Sequence, residues 1–334
     1  MTKHPLTLHR DAPPLDPAKF IDPDITATGE RRARVGLERL ETLWINTGTL
    51  CNITCANCYI ESSPANDRLV YFPLADAIAL FDEIVALGLQ TREIGFTGGE
   101  PFMNPDILAL LEAALGRGFE ALVLTNAMQP MMRRRMRDGL RALKARHGAR
   151  LTLRVSLDHH SRAGHEHERG EGTWETALAG LDWLASEGFS IAVCGRTCWG
   201  ETEAEARAGY GRLFAERGHA IDADDPAGLV LLPEMDETAD VPEITERCWG
   251  ILGKSPGDTM CASSRMAVKR KGADRPVIMP CTLLPYDPRF EMGETLRDAL
   301  SADGGMFDRG RVKLNHPHCA KFCVLGGGSC SAGS

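Results

Sequence analysis

Nowhere in the 334 residues does an apolar run approach the roughly 18–20 residues that span a bilayer, so the chain offers no membrane helix and a membrane partner is not expected. The N-terminal stretch, MTKHPLTLHRDAPPLDPAKF, lacks the apolar segment of a secretory signal peptide, and the expectation is a cytoplasmic protein. Positive charge is not in excess either. Lys and Arg number 38 against 46 Asp and Glu, a net charge of −8, which argues against a nucleic acid as the main partner. The one basic run, MMRRRMRDGLRALKARHG, reads as the solvated face of a surface helix. No internal repeat is visible beyond a strand–helix unit. Hydrophobic residues at 43% and charged residues at 25% are enough to build a core and exclude a disordered chain.

A lead-in over residues 1–40 is rich in Pro, Asp and Arg and is expected to be irregular, with a short helix near 31–40. The pattern then becomes regular. Short apolar runs of strand type occupy 42–45, 93–96, 121–124, 151–155, 191–193 and 228–232. Helical-period stretches lie between them at 74–87, 105–116, 130–147, 174–187 and 201–217. Asn104-Pro105 reads as a helix cap followed by a first-turn proline. This alternation predicts the α/β class, a parallel sheet with helices outside. Six strands against the eight of a complete barrel predict a partial (β/α)6 TIM-type barrel over residues 41–232, with its chemistry at the C-terminal ends of the strands. From Asp222 the acidic, turn-rich DADDPAG marks a change of character. Residues 233–334 are poorer in helical periodicity and hold six of the eleven cysteines: Cys248, Cys261, Cys281, Cys319, Cys323 and Cys330. They are expected to form a C-terminal domain.

Eleven cysteines are many for a reducing compartment, where clustered thiols more often bind metal or do chemistry than form disulfides. CNITCANCYIE places Cys51, Cys55 and Cys58 within eight residues, just after the first strand. Zinc usually takes four ligands, often as two Cys-x2-Cys pairs, and here there is no partner pair. His159, His160, His165 and His167 leave a Cys3His zinc site open. Three thiolates on an irregular loop are better suited to a 4Fe-4S cluster with one iron left open. Cys194, Cys198 and Cys248 read as buried or pocket-lining thiols.

Cys51-x3-Cys55-x2-Cys58 followed by Tyr59 resembles the signature of radical S-adenosylmethionine (radical SAM) enzymes. Two further stretches carry the resemblance. GFTGGEPFMNPD is similar to the family's second-strand Gly-Gly-Glu motif. VSLDHHSRAGHEHERGEGTWETALAGLDWLASEGF is similar to the fourth-strand region of the subgroup with extra iron–sulfur domains. The resemblance implies that Gly98, Gly99 and Glu100 bind the methionyl amine of S-adenosylmethionine. It implies that Arg169 grips the carboxylate and that Tyr59 and Asn126 lie at the cofactor. Physical reasoning agrees: glycines permit close backbone approach, and Glu100 would set a carboxylate against an ammonium. Ser156 and Asp158, at the end of a strand, could reach ribose hydroxyls, or one of them could cap a helix. The place before the third cysteine, often aromatic in the family, holds Asn57.

The segment from Cys261 to Leu300, with its Pro-Cys at Cys281, resembles the start of a SPASM or twitch domain, and HPHCAKFCVLGGGSC resembles its closing cysteines. The resemblance implies an auxiliary 4Fe-4S cluster on Cys261, Cys281, Cys319 and Cys323, with Cys330 able to replace Cys319 or Cys323; structural or zinc-binding cysteines are the alternative. It further implies reductive cleavage of S-adenosylmethionine to a 5′-deoxyadenosyl radical that abstracts a hydrogen atom. The substrate would be a peptide, oxidised or crosslinked, or a small molecule, and a donor such as flavodoxin or ferredoxin would supply the electron. The lead-in looks too short for the winged-helix domain of many peptide modifiers. The four histidines are candidates for a proton acceptor or, alternatively, solvated loop residues. A non-catalytic iron–sulfur electron carrier is the reading of another class, and the Gly-Gly-Glu stretch argues against it.

Overall fold

The computed structural model describes residues 13–197, 199–233 and 236–328. The first strand, β1 (Arg34–Val35), belongs to the lead-in. Then β2 (Thr42–Asn46), β3 (Glu93–Thr97), β4 (Glu120–Thr125), β5 (Leu151–Ser156), β6 (Ser190–Arg196) and β7 (Leu229–Leu232) run parallel, each hydrogen-bonded to the next in sequence. These are the six strands expected. β2 and β3 are buried at every position. That is the signature of a parallel strand covered on both faces, and it explains their near-continuous apolar sequence. Helices α1 (Leu74–Ala86), α2 (Ile107–Gly116), α3 (Gln129–Met132), α4 (Arg134–His147), α5 (Arg162–Arg169), α6 (Thr173–Ser186) and α7 (Glu203–Arg217) connect them. None of the described helices is long and apolar enough to cross a membrane.

Four expectations change. The helix near 31–40 does not form. Ala33 instead donates to the Ile244 carbonyl at 2.9 Å, and β1 pairs antiparallel with the C-terminal region, so tertiary pairing overrides local propensity. The stretch 130–147 is split at Arg133, whose extended backbone (φ −60°, ψ 141°) separates α3 from the basic α4. Asn104 stands outside α2, which begins at Ile107, and its Oδ1 accepts from Asp106 N at 2.8 Å just ahead of the helix. It is fully buried, and its Nδ2 donates to the carbonyls of Thr47 and Phe72, both at 3.1 Å, so it joins two loops at the mouth of the barrel. Finally α5, whose N-terminus Ser161 caps through its hydroxyl, forms where no helix was expected.

After α8 (Cys248–Leu252) and α9 (Met260–Ser263), strand β8 (Ser264–Val268) adds to the free flank of β2, again parallel, in the register Leu43↔Arg265. β9 (Val277–Met279) turns back antiparallel on it, which completes an eight-stranded sheet in the order β7-β6-β5-β4-β3-β2-β8-β9. Helix α10 (Leu296–Ser301) follows, then β10 (Phe307–Asp308) and β11 (Arg311–Lys313), which form a small sheet with β1. A fully buried ion pair, Arg32 to Glu243 at 2.6 Å, ties the lead-in to the C-terminal region.

Core packing under β2 and β3 leaves little slack. A Cβ at Gly95 would lie 2.4 Å from the Trp44 ring, so the indole occupies the space a side chain there would take. Gly95→Ala should therefore overpack the sheet, at a cost of about 1–3 kcal/mol. A lower thermal unfolding midpoint by circular dichroism, partly restored by adding Trp44→Leu, is the expected result.

Candidate functional site

Every cofactor-binding candidate, and the first set of metal candidates, lies at the C-terminal ends of β2–β5 or on the segments that follow them. The loop after β2 carries Cys51, Cys55 and Cys58, and the turn after β3 holds that loop in place. Gly99 N donates to Gly48 O at 2.7 Å, and Glu100 N donates to Leu50 O at 3.1 Å. A Cβ at Gly98 would come within 2.4 Å of Gly48 O, and one at Gly99 within 2.1 Å of Leu50 O. Gly98 also has φ +132°, which side chains rarely adopt. The two glycines are thus required for close approach, but what approaches them is the cysteine loop itself.

Glu100 is buried, and its carboxylate accepts from Thr125 Oγ1 (2.8 Å), Asn126 N (2.9 Å) and Phe102 N (3.2 Å). Among the described residues it forms no ion pair. Burial pushes its carboxyl up to about 7 despite these three donors. A buried carboxylate with donors in place and no paired cation among the described residues suits a positively charged ligand group. Asn126 extends the same network to the loop. Its Nδ2 donates to Asn52 Oδ1 at 2.9 Å and points towards Cys51 Sγ at 3.9 Å. Burial raises Cys51 to about 12 and also raises Cys55, so a soft metal would have to displace protons from them on binding. Cys58 Sγ accepts from Ser62 N at 3.4 Å, and Tyr59 packs half-buried against the core.

The far side of the loop rests on α5. Ala56 N donates to Glu168 O at 2.7 Å, and Asn57 Nδ2 donates to Glu168 Oε1, also at 2.7 Å. Glu168 is in turn paired with Arg196, at the end of β6, at 2.9 Å, with both side chains buried. Asn57 is therefore a tether for the loop. A phenylalanine at 57 could not make this bond. Glu168 and Arg196 were missed in the sequence. Their signal was a Glu–Arg pair in HER and an arginine ending an apolar strand.

Asp158 does not stand open to a ribose as expected. It takes Arg169 at two points, Nε to Oδ2 at 2.7 Å and Nη2 to Oδ1 at 3.2 Å. Burial works to raise Asp158, but the Arg169 charge outweighs it and holds the carboxyl below its ordinary value. Ser156 ends β5, only partly buried. The histidines are not solvated loop residues as a group. His159 and His165 are buried, and His165 lies within α5, pushed down to about 3 by burial. His159 Nε2 and His160 Nε2 converge on Glu201 at 3.2 and 3.1 Å. His159 Nδ1 accepts from Ser161 N at 3.0 Å, which places its proton on Nε2, towards Glu201. That tautomer removes His159 from a Cys3His zinc site.

The second set of thiols also converges. Cys261, Cys281, Cys319 and Cys323 are all buried and line one small cavity with Thr259, Pro280, Leu283, Leu284, Val312, Leu314 and His318. Cys261 comes from α9, Cys281 from the segment after β9, and the other two from a π-helical segment, Cys319–Leu325. Burial raises Cys319 well above the ordinary thiol value, with the neighbouring Cys281 and Cys261 adding to the effect. Four otherwise mutually repelling thiolates in an apolar pocket match a soft-metal donor set. Cys330 and Cys198 lie outside the described residues. Cys194 and Cys248 are partly buried and do not line this cavity. The two cysteine regions touch through Tyr286, whose hydroxyl donates to Ile60 O at 2.7 Å and whose ring lies under the Arg68 guanidinium.

Removing one member of a buried ion pair should destabilise far more than removing both. Asp158→Ala is expected to cost about 3–5 kcal/mol at pH 7, and Asp158→Ala with Arg169→Met much less. Because the Asp158 carboxyl is depressed, its stabilisation is present above its unfolded value near 3.8 and is lost as pH falls through the lower folded value. Urea unfolding of the metal-free chain between pH 7 and pH 3 checks both statements.

Residues 45–206 match the family model described as the Radical SAM superfamily. Among curated proteins, the chain is 28% identical over 144 residues to the antilisterial bacteriocin subtilosin biosynthesis protein AlbA of Bacillus subtilis, which covers 43% of this chain and 30% of that one. It is 27% identical over 146 residues to an AdoMet-dependent heme synthase of Oleidesulfovibrio alaskensis, covering 43% of this chain and 34% of that one. The chain thus spans about a third of the length of these curated relatives. Among solved structures, SuiB of Streptococcus suis bound to S-adenosylmethionine superposes with a TM-score of 0.56 at 14% identity, over 80% of this chain and 66% of that one. Native anSMEcpe with bound AdoMet gives 0.55 at 13%, over 78% and 80%. Partial barrel, cysteine loop and family match agree: residues 45–206 are a radical SAM domain, a domain whose cofactors are a 4Fe-4S cluster and S-adenosylmethionine.

Proposed function

We propose that this chain is a radical SAM enzyme of the SPASM/twitch type that acts in the cytoplasm on a peptide, in a net oxidation or crosslink assisted by an auxiliary 4Fe-4S cluster. The observation that carries the reading is the pairing of two thiol sets in one molecule. One set is an open three-cysteine loop over a buried, cation-free carboxylate; the other is a closed four-cysteine cavity. With cluster and cofactor bound, the first set supplies a 5′-deoxyadenosyl radical that removes a hydrogen atom from the substrate.

In this reading Cys51, Cys55 and Cys58 ligate the first cluster, and the missing fourth ligand leaves room for S-adenosylmethionine. Glu100 receives the methionyl ammonium, and desolvation makes that charge-assisted bond strong. Arg169 presents the rest of its guanidinium to the carboxylate, with Asp158 as the group that positions it. Ser156 faces the ribose, and Asn126 keeps the cysteine loop seated. Tyr59, Gly98 and Gly99 complete the pocket. Cys261, Cys281, Cys319 and Cys323 ligate the auxiliary cluster, which would take the substrate's second electron from a flavodoxin- or ferredoxin-primed turnover.

A peptide substrate is supported by AlbA, named for bacteriocin biosynthesis, and by SuiB, a fold neighbour solved with the precursor peptide SuiA. A small-molecule substrate is the second reading, favoured by the heme synthase relatives.

Anaerobic reconstitution with iron and sulfide should give about eight irons per chain, enough for two four-iron clusters. Reduction with dithionite in the presence of S-adenosylmethionine should yield 5′-deoxyadenosine, and its absence would sink the enzymatic reading. A mass change in a short peptide encoded beside the gene supports peptide modification; conversion of a tetrapyrrole instead overturns it. Glu100→Gln should weaken S-adenosylmethionine at least about tenfold by calorimetry, the loss of one charge-assisted bond. In the unsubstituted protein affinity should fall as pH drops below about 7, where Glu100 takes up its proton.

A further inference from the structure

Among the described residues, Arg265 is a cation without a counter-ion. It sits in β8 opposite Leu43 with its side chain fully buried. Its Nη1 donates to the carbonyls of Cys261 and Ser264, both at 2.7 Å, which secures the turn from α9 into β8. Its Nε and Nη2 are buried with no hydrogen-bond partner, and no carboxylate pairs with it among the described residues. Two other buried arginines are treated differently: Arg32 has Glu243 at 2.6 Å and Arg196 has Glu168 at 2.9 Å. An uncompensated buried guanidinium is expensive, and the neutral end of its titration is out of reach at physiological pH. Burial lowers Arg265 only to about 10, and the ionisable groups acting on it are the thiols of Cys261 and Cys281, which both line the four-cysteine cavity.

As neutral thiols those two cysteines offer no charge. As thiolates around iron they would. A four-iron cluster with four thiolates carries a net charge of about −2, or about −3 after taking up one electron, with no bond to the protein made or broken. We propose that Arg265 is the buried counter-cation of the auxiliary cluster and that it raises that cluster's reduction potential, since the added negative charge is stabilised by a fixed positive one in a low-dielectric surround. The assignment rests on the four-cysteine reading given above. It gives β8 a purpose beyond closing the sheet: the strand that completes β2 also delivers a charge to the second thiol set. The Nη1 bond to the Cys261 carbonyl ties the guanidinium to one of the four cysteines, and Arg265 is a positioning residue for electron flow that does not itself touch substrate.

The test uses the full chain with Cys51, Cys55 and Cys58 all changed to Ala, so that only the second cluster assembles. Iron is counted, and the cluster is titrated with dithionite while its reduced form is followed by electron paramagnetic resonance. Adding Arg265→Met should lower the reduced-to-oxidised ratio at a fixed potential at least about tenfold, which is about 59 mV for a one-electron couple. Adding Arg265→Lys, which keeps the charge, should stay within about threefold. Loss of the cluster in the Met variant with retention at the original potential in the Lys variant also supports a charge role. An unchanged potential in Arg265→Met with about four irons bound overturns the assignment and leaves the auxiliary cluster standing. Loss of the cluster from both variants overturns it as well, because the charge would then not be what matters. Iron absent even before Arg265 is changed removes the four-cysteine reading itself, and the role of Arg265 with it.

Discussion

The site depends on one close backbone contact. The turn after β3 and the loop after β2 lie so near each other that neither Gly98 nor Gly99 has room for a β-carbon. The two amide-to-carbonyl bonds made across this contact fix where the cysteine loop begins. Everything downstream inherits that placement. Cys51 is held under Asn126, Asn57 reaches Glu168, and Glu100 is turned inward beneath the loop with its donors in place. A motif that reads as a ligand-binding turn is in the first instance a structural clasp, and the inward-turned Glu100 carboxylate is a consequence of it.

Around that clasp the barrel mouth is organised by buried charge. Asp158 with Arg169 and Glu168 with Arg196 are neighbouring pairs contributed by β5, α5 and β6, and each is desolvated. Pairs of this kind add little net stability but penalise misplacement heavily. They therefore serve better as positional restraints than as glue. They also hold α5 against the cysteine loop, through the Glu168 side chain and carbonyl together.

Much of this was legible in the sequence because it rests on periodicity and on local spacing. The six parallel strands from β2 to β7 and most of the helices follow from runs whose apolar pattern is dictated by two-sided burial, and Cys51, Cys55 and Cys58 are close enough in sequence to be read as a unit. What escaped depends on contacts between distant segments. The Arg34–Val35 strand exists only because Val312–Lys313 comes back to pair with it. Asn104 looks like a cap in a local window, and its further role as a bridge between two loops is invisible there. The bond from Arg169 to Asp158 is invisible in a local window because the two residues lie a helix apart. The four remote cysteines could be nominated by resemblance, but the cavity they share is a fact of tertiary structure.

Strand β8 has one more implication. Because it pairs with β2 from Thr42 to Ile45, the region that bears the second cysteine set also covers the flank of the strand from which the first set emerges. Cut away, it would leave the buried backbone row of Leu43, Trp44 and Ile45 as an unprotected template for another chain, the kind of edge that drives self-association. The barrel and its appendix are therefore better regarded as one heritable unit than as interchangeable modules. A lineage could remodel the loops of either part, but could not lose the C-terminal segment without first inventing another cover for that edge.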